Sequence, residues 1–168
     1  VLAFAEDFAV FLDNLEQTAP ATIDAIVSSP RGDVFVAVRD PAAPALNLWC
    51  IDAYSGRRVW SSQVTALPPP GSVVSLAVTD TGDWSTDAVL VTAGGVVAVN
   101  ASSGHIRWAV MSTDPVSPVA VGPPESGMVY VTRFHSILDS FLVALRVADG
   151  TTAWQASFPA SGVTDGPV

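Results

Sequence analysis

The chain has 168 residues, 49% of them hydrophobic and 14% charged, with no Lys and a formal net charge of −9. That apolar content is enough for a sizeable core in one domain. The acidic, Lys-free balance argues against nucleic acid and anionic membrane as partners, and no apolar run approaches the length of a membrane span.

Residues 1–20 form an N-terminal segment distinct from the rest. Phe4, Phe8, Phe11, Leu12 and Leu15 recur at helical spacing, which predicts a short helix, with a strand through Phe8–Leu12 as the competing reading. Ala3-Phe4-Ala5 resembles the end of a secretory signal peptide, although the charged and apolar regions that should precede it are missing.

From Ala21 the chain reads as strands. The first blade region, 21–64, has strands at 22–27, 34–38, 46–51 and 58–64. The second, 65–111, opens on the rigid connection Pro68-Pro69-Pro70-Gly71 and has strands at 73–78, 88–92, 96–99 and 106–111. The third, 112–158, has strands at 118–121, 128–132, 141–145 and 152–158. Residues 159–168 read as the start of a further blade.

A repeated motif organises these regions. Asp52 to Trp60, Asn100 to Trp108 and Arg146 to Trp154 each follow an apolar run and carry a Gly four residues before a Trp. The glycines, Gly56, Gly104 and Gly150, are spaced by 48 and 46 residues. A constant period of this size in short strands signals propeller blades or another stacked array. Gly suits a tight hairpin that needs a positive φ. One Trp per repeat in one register suggests a flat side chain packing each blade on its neighbour.

The pattern apolar-Asp-x-x-x-Gly-x-x-x-Trp resembles the PQQ-type (quinoprotein-like) propeller repeat. The resemblance implies that Gly56 and Trp60, Gly104 and Trp108, and Gly150 and Trp154 form a tryptophan-docking motif that ties blades together. The Asp of that pattern is kept at Asp52 and replaced by Asn100 and Arg146. The expected fold is all-β: a partial propeller of about three four-stranded, WD40-like blades behind the N-terminal helix or strand. Propellers close with roughly four to eight blades, so three would leave raw edges. The chain is therefore expected to be part of a longer protein or to be completed by another chain.

The remaining motifs are sparse. Asp80, Asp83 and Asp87 lie in one loop before an apolar strand, and such carboxylates can converge on Ca²⁺. The loop resembles the FG-GAP repeat of integrin-alpha-type propellers, with Gly82 and Trp84 departing from its pattern; a solvated acidic hairpin is the plainer reading. Asn100-Ala101-Ser102 is an N-glycosylation sequon on an exposed hairpin. Arg31-Gly32-Asp33 is an RGD tripeptide best read as a β-turn. His105 and His135 have no partner motif, Gly94-Gly95 is a hairpin turn, and Leu138-Asp139-Ser140 reads as a loop insertion. Cys50 lies in an apolar strand and reads as a buried structural thiol. It also leaves no vicinal Cys pair of the kind PQQ-dependent dehydrogenases commonly carry.

These features point to a non-catalytic scaffold for protein binding or assembly, with no cofactor beyond the calcium candidate. Its expected place is extracellular or in a secretory lumen, or the periplasm if bacterial. The partners expected are a protein or further blades of the same protein. One rival reading is a fragment of a PQQ-dependent dehydrogenase whose active site lies outside the chain. The other is a structural subunit whose open edges pair into a homo-oligomer or polymer.

Overall fold

The computed structural model describes residues 22–40, 45–66, 74–80, 87–92, 94–114, 116–134 and 139–159. They form three antiparallel four-stranded sheets, each a simple meander. The first contains β1 (Thr22–Ser28), β2 (Asp33–Asp40), β3 (Ala45–Asp52) and β4 (Arg58–Ala66). The second contains β5 (Ser75–Val78), β6 (Ala88–Thr92), β7 (Gly95–Asn100) and β8 (Ile106–Met111). The third contains β9 (Ala120–Val121), β10 (Met128–Phe134), β11 (Asp139–Arg146) and β12 (Thr152–Pro159). β1 lies against β5, and β5 approaches β9, so the first strands of the sheets line up on one side of the array.

The central strands of sheets 1 and 2 read as unbroken apolar runs because both of their faces are covered. Alternate residues point to opposite faces of a strand. Phe35, Ala37, Leu46, Leu48 and Cys50 face forward from sheet 1 and pack on Val89, Val91, Val97 and Val99 at the back of sheet 2. Leu90, Val96 and Ala98 face forward from sheet 2 and pack on Val129, Val131, Val143 and Leu145 at the back of sheet 3. The back of sheet 1, through Val34, Val36, Val38 and Ile51, is also buried.

A hydrogen-bonded turn joins the last two strands of every sheet. In each, the residue that ends the third strand accepts from Gly: Gly56 N–H to the Asp52 carbonyl at 2.8 Å, Gly104 to Asn100 at 2.9 Å, Gly150 to Arg146 at 2.9 Å. A second bond ties this turn to the loop before the second strand. Ala53 N–H donates to the Gly32 carbonyl, Ala101 to Asp87 and Val147 to Gly127, at 2.9 to 3.1 Å.

One local expectation is corrected. Asp139 and Ser140, read as loop, belong to β11, where Ser140 pairs with both Phe134 and Phe158. The turn Pro123–Gly127 contains a short 3-10 helix at Pro124–Ser126, which Pro starts readily and Gly127 ends in the left-handed region at φ 58°. The expectations for residues 1–20, Pro68–Gly71 and 160–168 lie outside the described residues, as do His135 and Leu138.

Candidate functional site

The most specific geometry in the molecule is the docking of Trp60 and Trp108 on the next sheet. A β-bulge precedes all three tryptophans. Cys50 pairs with Trp60 while Ile51 pairs with Arg58; Ala98 with Trp108 while Val99 pairs with Ile106; Ala144 with Trp154 while Leu145 pairs with Thr152. The extra residue, Val59, Arg107 or Ala153, bends the outer strand and re-aims the side chain that follows.

The Trp60 indole reaches the turn of sheet 2, where its Nε1 donates to the Ala101 carbonyl at 3.0 Å. The Trp108 indole does the same in sheet 3, donating to the Val147 carbonyl at 2.8 Å. In both cases the ring lies flat over glycine. A Cβ at Gly104 would sit 2.7 Å from the Trp60 ring, and one at Gly150 would sit 2.7 Å from the Trp108 ring. The same glycines hold φ of 75° and 73°. Two separate constraints, the left-handed backbone and the ring above it, therefore require glycine.

The third Trp has no such cover. Trp154 is 45% exposed, against 9% for Trp108, and no turn equivalent to Ala101 or Val147 faces it among the described residues. Its ring stacks at a tilt on Tyr130, centroids 5.9 Å apart. Phe158, farther along β12, is 53% exposed. At the other end of the array, the first turn carries Tyr54 almost fully exposed, and Ala53 and Gly56 are only half-buried, whereas Ala101 and Gly104 are buried.

The side chain at the head of each turn explains the motif's Asp. Asp52 Oδ1 accepts from the Tyr54 N–H at 2.8 Å and from the Ser55 N–H at 3.4 Å, an Asx-turn that holds its carboxyl below the usual range. Asn100 Oδ1 accepts from the Ser102 and Ser103 N–H groups in the same way. Arg146 cannot accept, and the job passes to Asp149, whose Oδ1 takes the Thr151 N–H at 2.9 Å and the Thr151 hydroxyl at 2.7 Å. These hydrogen bonds likewise lower the Asp149 pKa.

The other candidates are dispersed. Asp87 is buried and Asp80 is exposed, while Asp83 lies outside the described residues. Asp87 also stands where Gly32 and Gly127 stand in the other sheets, its carbonyl holding the docking turn. No group of three or more His, Cys, Asp and Glu that could hold a metal ion occurs among the described residues. His105 is exposed in the second turn, and its carbonyl accepts from the Asn100 N–H. Gly32 of the RGD tripeptide is fixed by its bond to Ala53, with the Tyr54 ring alongside.

Sequence reasoning missed the facing pair Asp33 and Asp52, which are register partners on β2 and β3. Burial and the Asp52 charge together raise the Asp33 pKa. Burial, then Asp33 and Asp52, push the Cys50 thiol up to about 12. The signal lay in the repeat itself, since only the first blade has acids at both of these aligned positions.

Among the described residues no helix is long and apolar enough to cross a membrane. The family profile described as "Outer membrane protein assembly factor BamB" matches residues 15–131 and, in a second overlapping placement, 47–165. The crystal structure of BamB from Moraxella catarrhalis superposes with a TM-score of 0.59 at 15% identity, covering 82% of this chain and 38% of that one. At that identity the likeness is one of fold, and this chain spans well under half the length of its structural relative. No curated protein matches the sequence. With the profile spanning most of the chain and the docking geometry repeated from blade to blade, the chain belongs to the PQQ-like β-propeller repeat family of the outer membrane protein assembly factor BamB.

Proposed function

We propose that the chain forms part of a non-catalytic propeller scaffold that binds protein and supports assembly outside the cytoplasm. In a bacterium that place would be the periplasm. The observation that carries the reading is the blade docking. The turns of sheets 2 and 3 are each locked by an indole–carbonyl bond and a glycine under the ring, giving an array that presents loops differing from blade to blade and, on sheet 3, an apolar face. Rigid presentation of loops suits recognition. The matched family's description as an assembly factor supports the same direction, although fold by itself does not fix function.

Within this reading Gly56, Trp60, Gly104, Trp108, Gly150 and Trp154 are structural docking residues. The Asp87 carbonyl serves the docking turn of sheet 2, and Asp80, Asp83 and Asp87 are kept as the calcium candidate. Glycosylation at Asn100 would have to precede folding, because Ala101 of the sequon is fully buried under Trp60.

The test is crosslinking in the native cells followed by identification of captured proteins. Specific capture of other envelope-assembly components is expected. A stoichiometric quinone absorbance in the purified protein, bleached by an oxidisable substrate, would sink the scaffold reading in favour of a quinoprotein.

A further inference from the structure

Three buried side-chain polar atoms have no hydrogen-bond partner among the described residues: Ser75 Oγ, Thr92 Oγ1 and Arg133 Nε. Strand register puts all three in one seam. Ser75 pairs with Thr92, and Thr92 with Val96, so both hydroxyls share the front of sheet 2 with Val96. Arg133 alternates with Val129 and Val131 on the back of sheet 3, the face that packs on Val96. The cluster therefore sits at the end of the seam where the β6–β7 hairpin turns. At the opposite end the Trp108 indole donates to the Val147 carbonyl at 2.8 Å.

The other two sheets fill the same place differently. Thr92 lies five residues after Asp87, whose carbonyl holds the docking turn; Ala37 and Thr132 lie five residues after Gly32 and Gly127. In sheet 1, Ala37 pairs with Ala25, and neither side chain needs a partner. In sheet 3 the hydroxyl beside Thr132 is fully used. Ser117 Oγ accepts the Thr132 N–H at 2.9 Å and donates to the Pro118 carbonyl at 2.9 Å. Alanine thus serves the fold at this place, and a Ser can be satisfied there. Only the seam between sheets 2 and 3 encloses hydroxyls that give up their water and gain nothing. Arg133 adds an enclosed Nε–H, and its contact from Nη2 to Asp114 is long, at 3.5 Å.

We propose that this seam is a built-in opening: its hairpin end parts reversibly about the Trp108–Val147 bond as a hinge, and water then reaches Ser75, Thr92 and Arg133. Closing buries Val96, Val131 and Val143 but leaves three polar groups unmet. Opening meets those groups and wets the valines. The two effects oppose each other, which brings the open state within reach of local fluctuation. The movement breaks no strand pairing, because sheets 2 and 3 are hydrogen-bonded ladders in their own right. In the seam between sheets 1 and 2, where Ala25 and Ala37 occupy the place, burial has no such opponent and the seam stays shut.

Thiol labelling of the full-length protein, read by peptide mass mapping, tests the opening. Val96→Cys places a thiol in the proposed seam, and native Cys50 reports on the seam between sheets 1 and 2 in the same molecule. Adding Ser75→Ala with Thr92→Val is expected to slow labelling at position 96 about tenfold while leaving Cys50 unchanged. A thiol from Ala98→Cys, nearer the hinge, is expected to label more slowly than one at position 96. Unchanged labelling at position 96 overturns the proposal. So does equal slowing of both thiols, which would report global stability, or equal rates at positions 96 and 98, which would mean that the sheets separate without a hinge. Thermal melts of the Ser75→Ala, Thr92→Val variant need no introduced thiol. A melting temperature at or above the parent's is expected; a lower one would show that the hydroxyls are paired in the folded protein, and the proposal would fall.

Discussion

Trp60 and Ala101 belong to different blades and are joined by a single hydrogen bond of 3.0 Å from the indole nitrogen to the backbone carbonyl. The ring that donates it also rests on Gly104. One side chain therefore satisfies a carbonyl, covers a glycine and fixes the register of two sheets.

Removing the donor separates these roles. Trp60→Phe keeps a ring but leaves the Ala101 carbonyl unpaired, and should cost about 1–3 kcal/mol. Trp60→Ala also removes the packing and should cost about 3–5 kcal/mol. Urea unfolding followed by far-UV circular dichroism checks both. Equal losses in the two variants would mean that the hydrogen bond, not the ring, fastens the blades.

Two glycines with left-handed backbone provide a matched pair. Gly104→Ala meets the positive φ and the Trp60 ring together, whereas at Gly127 an added Cβ meets nothing within 4 Å. Backbone strain alone predicts about 1–2 kcal/mol for Gly127→Ala. At Gly104 the clash should add about 1–3 kcal/mol more. Similar melting temperatures for the two variants would show that the ring moves aside freely.

Opposed pKa shifts on Asp33 and Asp52 predict opposite pH dependence. The folded state lowers the Asp52 pKa, so its contribution is fully present above the ordinary carboxylate value and is lost as pH falls through the folded value. Asp33 is raised by burial and by Asp52, so stability falls as pH rises from its unfolded value through the higher folded one. Asp33→Asn should therefore raise the melting temperature at neutral pH and have little effect in acid. Asp52→Asn should be well tolerated, since Asn100 already heads the second turn, and Asp52→Ala should not. Thermal melts across acid and neutral buffers decide each case.

Cys50 is buried with its thiol pushed up to about 12. Little thiolate exists at neutral pH, and thiolate is the reacting form. Labelling by a thiol reagent should then report opening of the sheet 1–sheet 2 core. Its rate is expected to rise as global stability falls across the variants above. Rapid labelling in native buffer would contradict the burial.

Thr79 is buried, and its Oγ1 accepts the Ala88 N–H at 2.8 Å. Thr79→Val keeps the shape and orphans that donor, at a cost of about 1–3 kcal/mol by the same unfolding measurement. Ser29 accepts the Asp33 N–H at 3.2 Å in the equivalent turn. Ser29→Ala should show a smaller effect because the bond is longer.

The strands were legible because propeller strands are short, apolar and bounded by turn residues. Ala88–Thr92 and Ile106–Met111 appear in the structure with the limits the sequence predicts. The glycines and tryptophans of the motif stand out in the sequence because they repeat. The bulges at Val59, Arg107 and Ala153 were not, since an extra residue in a strand leaves no mark on composition. Asp139 and Ser140 were misread because polarity suggested a loop, whereas their backbone pairing is set by β10 and β12. The acidic loop showed three carboxylates close in sequence, but Asp87 turns inward and Asp80 outward, which spacing alone does not reveal.

The docking bonds all point the same way along the chain, from a tryptophan to a turn made later in synthesis. A growing polypeptide can form the first sheet as soon as Ala66 is out, yet Trp60 finds its acceptor only when Ala101 emerges, and Trp108 only with Val147. Each blade is thus fastened one repeat behind the ribosome. At any moment the newest complete sheet is the unfastened one, and a pause in translation would leave that sheet, rather than the first, open to proteases and chaperones.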